Sequence, residues 1–224
     1  MSNGSLMKAT PMAVYCQNLP TARLKYAVEQ DVQLIHSCYD MKGIVAAYCI
    51  AIKSLIQNHD SASRAQTAFD DAKNFIDDKL VQEWLAEAQS LAGKETDGFI
   101  TLKEYNPQND MGHVKHAFLL AFYCLLRAAT MEEAVAFDQA MEQTAMLAGD
   151  TDTTCAIVGG LVGAYVGVGN LPKEKLQKVL ECDLEAGSQC IRPEFVQPQL
   201  GSVELIMKLV SMAPANLTVV AYKG

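Results

Sequence analysis

The sequence predicts an all-α protein, and three features of its 224 residues support this. Apolar residues recur at intervals of three and four through most of the chain, which is the period of a helix with one buried face. Half of the residues are hydrophobic, enough to fill the core of a single domain over residues 1–224. An uncharged run from Cys155 to Gly169 predicts a helix buried in that core.

The first predicted helices occupy the segments 40–56 and 62–91. Asp40 can cap the earlier segment, in which eight apolar residues follow at helical spacing: Met41, Ile44, Val45, Tyr48, Cys49, Ile52, Leu55 and Ile56. The later segment repeats the pattern as a pair of helices, with Phe69 and Trp84 among its apolar residues. Gly93 is expected to close this pair, because glycine readily adopts the backbone conformation that ends a helix.

The next two helices are predicted from Gly112 to about Met146. Gly112 opens the first of them, which carries apolar residues at helical spacing: Val114, Phe118, Ala121, Phe122, Leu125 and Leu126. Thr130 and Glu133 have the spacing of a capping box, in which the hydroxyl and the carboxylate satisfy each other's backbone N–H groups. The second helix is therefore expected to start at Thr130.

An acidic turn precedes the uncharged run, where residues 149–154 read Gly-Asp-Thr-Asp-Thr-Thr. Two carboxylates and several hydroxyls lie on one turn without a basic residue, and such a set of hard oxygen ligands suits a cation. Aspartate and threonine are also ordinary residues of a helix N-terminus, so simple capping is the alternative. Gly159, Gly163 and Gly167 follow at intervals of four, which predicts a bare helix face and the close approach of a neighbouring helix.

The remaining segments are predicted to be peripheral or irregular. Residues 94–110 and 185–201 are richest in Gly, Pro and polar residues and are expected to be surface loops. Residues 202–212 are predicted to form one more helix. Residues 218–222 are predicted to form a short edge strand or a loose tail, and the region 185–224 is expected to be peripheral. The uncharged stretch from Thr153 to Pro172 raises a membrane span as an alternative, but its five glycines and several polar residues favour a core helix.

Charge and cysteine usage exclude several classes of protein. A net charge of −8 and a pI near 5.0 argue against a broad nucleic-acid surface, so an anionic ligand must be held locally. The seven cysteines never have a Cys-x-x-Cys spacing, which predicts buried free thiols and a reducing compartment such as the cytoplasm. The first residues lack the basic and apolar regions of a secretion signal.

Four motifs, in order along the chain, resemble those of the ADP-ribosylglycohydrolase family. The acidic turn, its glycine-rich helix and the Gly-Asn-Leu-Pro of residues 169–172 resemble the family's C-terminal signature. Residues 3–8, Asn-Gly-Ser-Leu-Met-Lys, resemble the loop that wraps the ribose and diphosphate of ADP-ribose. Residues 34–37, Leu-Ile-His-Ser, resemble the element near the distal ribose, and residues 112–114, Gly-His-Val, the Gly-Tyr-Val that borders the same cleft.

The resemblance implies a compact, orthogonal multi-helix bundle and a metal-dependent hydrolase that removes ADP-ribose from a modified protein side chain. It implies that Asp150 and Asp152 are catalytic and that they hold metal together with the Thr153 hydroxyl. The metal would be Mg²⁺ or Mn²⁺, with two ions in the intact family site. The residues implied to bind substrate are Asn3, Gly4, Ser5, Met7, His36 and Gly112. The implied partner is an ADP-ribosylated protein or an ADP-ribose derivative. Neither a nucleic acid nor a membrane is expected to be a partner.

One part of the family pattern has no counterpart in this sequence. Family members begin with a Gly-Asp-Ala-x-Gly helix and a Thr-Asp-Asp element, which supply the other metal ligands. An N-terminally truncated fold is therefore expected, comprising the C-terminal two-thirds of the family fold, with a missing segment or a partner chain completing the site. Two further interpretations are a catalytically inactive structural or assembly subunit and a fragment of a longer gene product.

Overall fold

The computed structural model describes residues 1–94, 100–101, 103–181 and 202–214, and these form ten α-helices and no strand. The helices are α1 (Ala9–Tyr15), α2 (Thr21–Gln33), α3 (Tyr39–Gln57), α4 (Arg64–Phe75), α5 (Lys79–Ala92), α6 (Val114–Ala128), α7 (Glu133–Met146), α8 (Thr151–Val166), α9 (Lys173–Leu180) and α10 (Ser202–Ser211). A short 3₁₀ turn, Val168–Asn170, follows α8. The prediction of an all-α protein is confirmed.

Three helices form the centre of the molecule. Helix α3 packs against α1, α2, α4 and α8, while α6 packs against α4, α5, α7 and α8. Nearly every residue of α3 is buried, as is the middle of α6, because apolar side chains occupy all sides of both helices. Helix α8 lies against α3, α6 and α7, so the uncharged run predicted to be a core helix is one.

The closest packing in the core occurs where α8 meets α1 and α3. The buried Tyr48 hydroxyl of α3 donates to the Ile157 carbonyl of α8 at 2.9 Å and bonds to the Thr10 hydroxyl of α1 at 2.9 Å. A Cβ atom built on Gly160 would lie 2.4 Å from Tyr48 Oη and 2.5 Å from Thr10 Oγ1. Residue 160 must therefore lack a side chain. Burial also raises the pKa of Tyr48 far above its usual value, so the hydroxyl stays protonated.

The close approach on α8 differs from the one that the sequence predicted. Gly159 and Gly163 face the side chain of Phe137 on α7, with a built Cβ at 3.8 Å and 3.6 Å from its ring, which is ordinary contact. Gly167 lies at the end of the helix with φ of +73°, a conformation that favours glycine. The prediction that a neighbouring helix approaches most closely at the face of Gly159, Gly163 and Gly167 was wrong, because the close contact is made at Gly160.

Two predicted helix caps were wrong. Helix α7 begins at Glu133, and the Thr130 hydroxyl donates to the Arg127 carbonyl at 2.8 Å instead of capping that helix. Glu133 cannot complete a capping box because its carboxylate pairs with Arg64. Helix α3 begins at Tyr39, which places Asp40 inside the first turn and not at the cap.

A buried arginine fixes the C-terminal end of α8. Arg64 of α4 is only 8 % exposed, pairs with Glu133 of α7, and donates from Nε to the Tyr165 carbonyl at 3.1 Å. Its guanidinium also lies 4.4 Å from the centre of the Tyr165 ring. Asn170 donates to Glu133 Oε2 at 3.1 Å. The positive charge lies where the helix dipole favours it, and the network joins α4, α7 and α8.

Other predictions have mixed outcomes. The last predicted helix is confirmed as α10, and Gly93 follows α5 with φ of −82°, so it ends the helix without the left-handed conformation. The sequence analysis did not predict α1, α2 or α9. The segment 185–201 and the tail at 218–222 lie outside the described residues. The five cysteines within the described residues are free, and no described helix is long and apolar enough to cross a bilayer.

We predict that Gly160→Ala destabilises the protein by about 1–3 kcal/mol, because the added methyl group overlaps Tyr48 Oη and Thr10 Oγ1. Gly163→Ala is the matched control, since its methyl group meets Phe137 at an ordinary 3.6 Å and alanine favours the helix by up to about 1 kcal/mol. Urea denaturation of both variants measures the free energy of unfolding. Equal stability of the two variants would contradict this account of the packing.

Candidate functional site

Three loops meet at the N-terminal end of α8. The loop before α1 pairs with the loop before α6 through two backbone bonds, Asn3 N–H to the Gly112 carbonyl and Val114 N–H to the Met1 carbonyl, both 3.0 Å. The third loop, which joins α7 to α8, brings Asp150 beside them. Gly112 has φ of +82°, and a Cβ built on it would lie 3.6 Å from Asp150 Oδ2. The backbone pairing therefore sets the space around this carboxylate.

Asp150 bonds to the opposite end of the chain. The Asn3 amide nitrogen donates to Asp150 Oδ2 at 2.6 Å, across 147 residues of sequence. Asp150 occupies the N-cap position of α8, yet its side chain makes no capping bond. The Thr153 N–H, which a capping carboxylate would accept, donates to Asp152 Oδ1 at 2.8 Å. Helix capping alone does not account for the bond from Asn3 to Asp150.

The Asn3 amide holds the pKa of Asp150 below its usual value, because a hydrogen bond to a carboxylate favours its charged form. Partial burial acts in the opposite direction, and the nearby Thr153 hydroxyl adds to the lowering. Asp150 therefore carries a full negative charge at neutral pH. Its hydrogen-bond partner Asn3 is neutral, so this charge is not cancelled.

His36 is bonded through both ring nitrogens to the loop before α1. Ser5 Oγ lies 2.5 Å from Nδ1, and Ser2 Oγ lies 2.9 Å from Nε2. A Cβ built on Gly4 would lie 3.7 Å from Cε1 of the same ring. Because hydroxyls donate or accept, both nitrogens are satisfied in either neutral tautomer. The imidazole is thus fixed in place against the loop.

The structure brings most of the predicted site residues together. Six of them form one connected group of hydrogen bonds and close approaches: Asn3, Gly4, Ser5, His36, Gly112 and Asp150. Asp152 and Thr153 follow on the first turn of α8, with Asp152 exposed. The Met7 side chain is 52 % exposed, and its backbone N–H donates to the Asn3 carbonyl at 3.0 Å.

His113 belongs to the same site, although the sequence analysis gave a substrate-binding role only to its neighbour Gly112 in the motif of residues 112–114. It occupies the N-cap position of α6, and its Nδ1 accepts the Lys115 N–H at 3.2 Å. The ring also packs edge-on against Trp84, with ring centres 6.2 Å apart. Burial lowers the pKa of His113, and the neighbouring His116 adds to this effect. The position directly before the first apolar residue of a helix is the signal that predicts this capping role.

The oxygen donors at the acidic turn are of the chemical kind that binds magnesium in proteins. Magnesium binds through one or two carboxylates and keeps several waters, and Asp150, Asp152 and the Thr153 hydroxyl are donors of this kind. Within the described part of the chain, no group of three or more His, Cys, Asp or Glu side chains is arranged to hold a metal. A second ion would need donors from elsewhere.

An open cavity adjoins the site. It has a volume of about 420 Å³ and is lined by Met1, Ser2, Asp110, Met111, Gly112 and His113. A larger cavity of about 600 Å³ lies along α7, between Gln143, Leu147 and Ile100, and contains none of the predicted site residues. Of the predicted site residues, Gly112 alone lines the smaller, more polar cavity, beside His113.

Comparison with known proteins identifies the family to which this chain belongs. A model of the ADP-ribosylglycohydrolase family matches residues 1–201, so the chain belongs to the ADP-ribosylglycohydrolase family. A protein of Acanthamoeba polyphaga mimivirus named "Putative ADP-ribosyl glycohydrolase" is 25 % identical over 191 residues. The match covers 81 % of this chain and 54 % of the viral protein, so the chain spans about half the length of this curated relative. No solved structure matches the chain.

We predict that His113 makes folding stability depend on pH. Its folded-state pKa lies below the ordinary value of about 6.5, so the unfolded chain takes up a proton first as the pH falls. The stabilisation is complete above about pH 6.5 and decreases as the pH falls towards the lowered pKa. His113→Asn keeps an N-cap acceptor without titrating, so it should lose less stability between neutral pH and about pH 5.

Urea denaturation at the two pH values checks this expectation. His59→Asn is the matched control, because that histidine is exposed and lies away from the site, at the end of α3. The control should keep the wild-type pH dependence. The same loss of stability in His113→Asn as in the wild-type protein would overturn the assignment.

Proposed function

We propose that this protein is part or all of a metal-dependent hydrolase that removes ADP-ribose from a modified protein side chain. The observation that carries the proposal is the 2.6 Å bond between Asn3 and Asp150, which joins the predicted ribose-diphosphate loop to the acidic turn. Family membership supports the reaction class. The target in this proposal is an N- or O-glycosidic bond to a side chain such as arginine or serine.

The reaction is a hydrolysis at C1 of the distal ribose. The bond from C1 to the side-chain nitrogen or oxygen breaks, a water oxygen bonds to C1, and the leaving side chain takes up a proton. ADP-ribose and the unmodified side chain are the products. Positive charge develops on the sugar as the bond breaks, so a carboxylate held ionised beside the ribose stabilises the transition state.

Each predicted residue has a role in this proposal. Asp150 and Asp152 keep negative charge next to the reacting ribose, and the lowered pKa of Asp150 favours this state. The Gly4–Ser5 part of the loop offers backbone N–H groups to the diphosphate. His36, fixed by two serine hydroxyls, presents its ring near the distal ribose. Gly112 leaves room for the substrate beside Asp150, and Met7 borders the ligand from the far end of the loop.

Mg²⁺ or Mn²⁺ would be held by Asp150, Asp152 and Thr153, and when bound it would orient the ribose hydroxyls and lower the pKa of water. In this proposal the chain supplies donors for one ion, and donors for the second come from a further segment or a partner chain. The match to only 54 % of the viral relative is compatible with this. An ADP-ribosylated protein or an ADP-ribose derivative is the proposed partner.

We predict that the protein binds ADP-ribose in the presence of Mg²⁺ and that Asp152→Ala abolishes this binding. The alanine removes one of two carboxylates and leaves too few oxygen donors to retain the ion. Isothermal titration calorimetry with and without EDTA measures the effect. Asp70→Ala is the control, because Asp70 lies on α4 and its carboxylate accepts only from Gln66 among the described hydrogen bonds.

The control should bind ADP-ribose as the wild-type protein does. Release of ADP-ribose from peptides modified at arginine or at serine, followed by chromatography, then identifies the linkage. Absence of ADP-ribose binding by the wild-type protein with Mg²⁺ present would refute the proposal, as would equal binding by Asp152→Ala.

A further inference from the structure

Asn3 is built into the protein through both its backbone and its side chain. Only 7 % of its surface is exposed. Its N–H donates to the Gly112 carbonyl, and its own carbonyl accepts from the N–H groups of Leu6 and Met7 at 2.9 Å and 3.0 Å. Its amide nitrogen donates to Asp150. A side chain buried and occupied in this way is poorly placed to donate to a diphosphate.

From this geometry we infer that Asn3 positions Asp150 and is not a direct ligand of the substrate. The short bond to Oδ2 fixes one oxygen of the carboxylate and with it the orientation of the whole group. The role of Asp150 rests on the proposed function, whereas the bond that orients it does not. Asn3 is thus a positioning residue, and the substrate contacts of the loop belong to its neighbours.

The chemistry of an amide suits this role. An amide N–H₂ donates to a carboxylate without bringing a charge, so Asp150 remains a competent cation ligand. A lysine or arginine in the same place would neutralise the carboxylate and compete with the cation. The partners that orient metal-binding carboxylates are commonly such hydrogen-bond donors, and their removal typically costs about 10- to 100-fold in metal affinity.

The rest of the loop remains available to a ligand. The backbone N–H groups of Gly4 and Ser5 have no backbone acceptor within the described residues, whereas the Ser5 hydroxyl is engaged by His36. Anion binding by the loop therefore relies on consecutive backbone N–H groups. Asn3 directly precedes these groups, so it links the anion-binding part of the loop to the acidic turn.

The test separates cation binding from ligand binding. Asn3→Ala is expected to weaken Mn²⁺ binding by about 10- to 100-fold, measured by electron paramagnetic resonance without nucleotide. Its affinity for ADP-ribose at a saturating Mn²⁺ concentration, measured by calorimetry, should equal that of the wild-type protein. Ser5→Ala is the matched loop variant: it removes the bond to His36, keeps Asn3 and Asp150, and should retain the wild-type Mn²⁺ affinity.

A direct substrate role for Asn3 would give the reverse result, with unchanged Mn²⁺ affinity and weaker ADP-ribose binding at a saturating Mn²⁺ concentration, and would overturn the inference. Equal loss of Mn²⁺ affinity in Ser5→Ala would also overturn it, because general loosening of the loop would then explain the effect. Circular dichroism verifies that both variants are folded.

A further measurement does not depend on the proposed function. The side-chain amide protons of Asn3, observed by NMR, should exchange slowly in the wild-type protein and rapidly in Asp150→Ala. If the wild-type protein bound neither Mn²⁺ nor ADP-ribose, the proposed function would fail, and this exchange would still decide whether Asn3 orients Asp150. Unchanged exchange in Asp150→Ala would reject the positioning role.

Discussion

The contact between the Tyr48 hydroxyl, Thr10 and the Ile157 carbonyl fixes the arrangement on which the site depends. It joins α1, α3 and α8 inside the core, where an unpaired hydroxyl would be costly, and it is geometrically satisfied only because residue 160 is glycine. The loop of residues 2–8 runs directly into α1, and the acidic turn runs directly into α8. Fixing these two helices against α3 therefore brings the loop and the turn together at one end of the bundle.

The carboxylates that lie beside the two ends of α8, Glu133 of α7 and Asp150, have opposite electrostatic environments. At the C-terminal end, Glu133 is neutralised by the buried Arg64, whose charge also complements the helix dipole. At the N-terminal end, Asp150 bonds to the neutral Asn3 amide, so its charge remains. In a chain with a net charge of −8, this uncancelled charge is held in a defined orientation. Such an arrangement suits cation binding, whereas the network at the opposite end joins α4, α7 and α8.

Apolar periodicity predicted the long central helices α3 and α6, because they bury most of their residues and leave a strong signal, and the uncharged run predicted α8. Local patterns were less reliable at helix ends. Thr130 and Glu133 have the spacing of a capping box, but pairing with Arg64, 69 residues earlier, takes the carboxylate away. Helices α1, α2 and α9 were not predicted. Helices α1 and α9 are short, α2 buries only the narrow stripe of Leu24, Val28 and Val32, and the positions of all three depend on neighbours that local sequence does not reveal.

The sequence by itself determined the helical class, the buried central helices and the motifs, including the acidic turn, that resemble those of the family. These properties follow from composition, from spacing and from residue types within a few positions of one another. Only the tertiary structure decided that Asn3 lies against Asp150, that Ser2 and Ser5 fix His36, and that Gly160 rather than its neighbours permits close packing. Those contacts join segments up to 147 residues apart, and their distances are set by how the helices pack in the core.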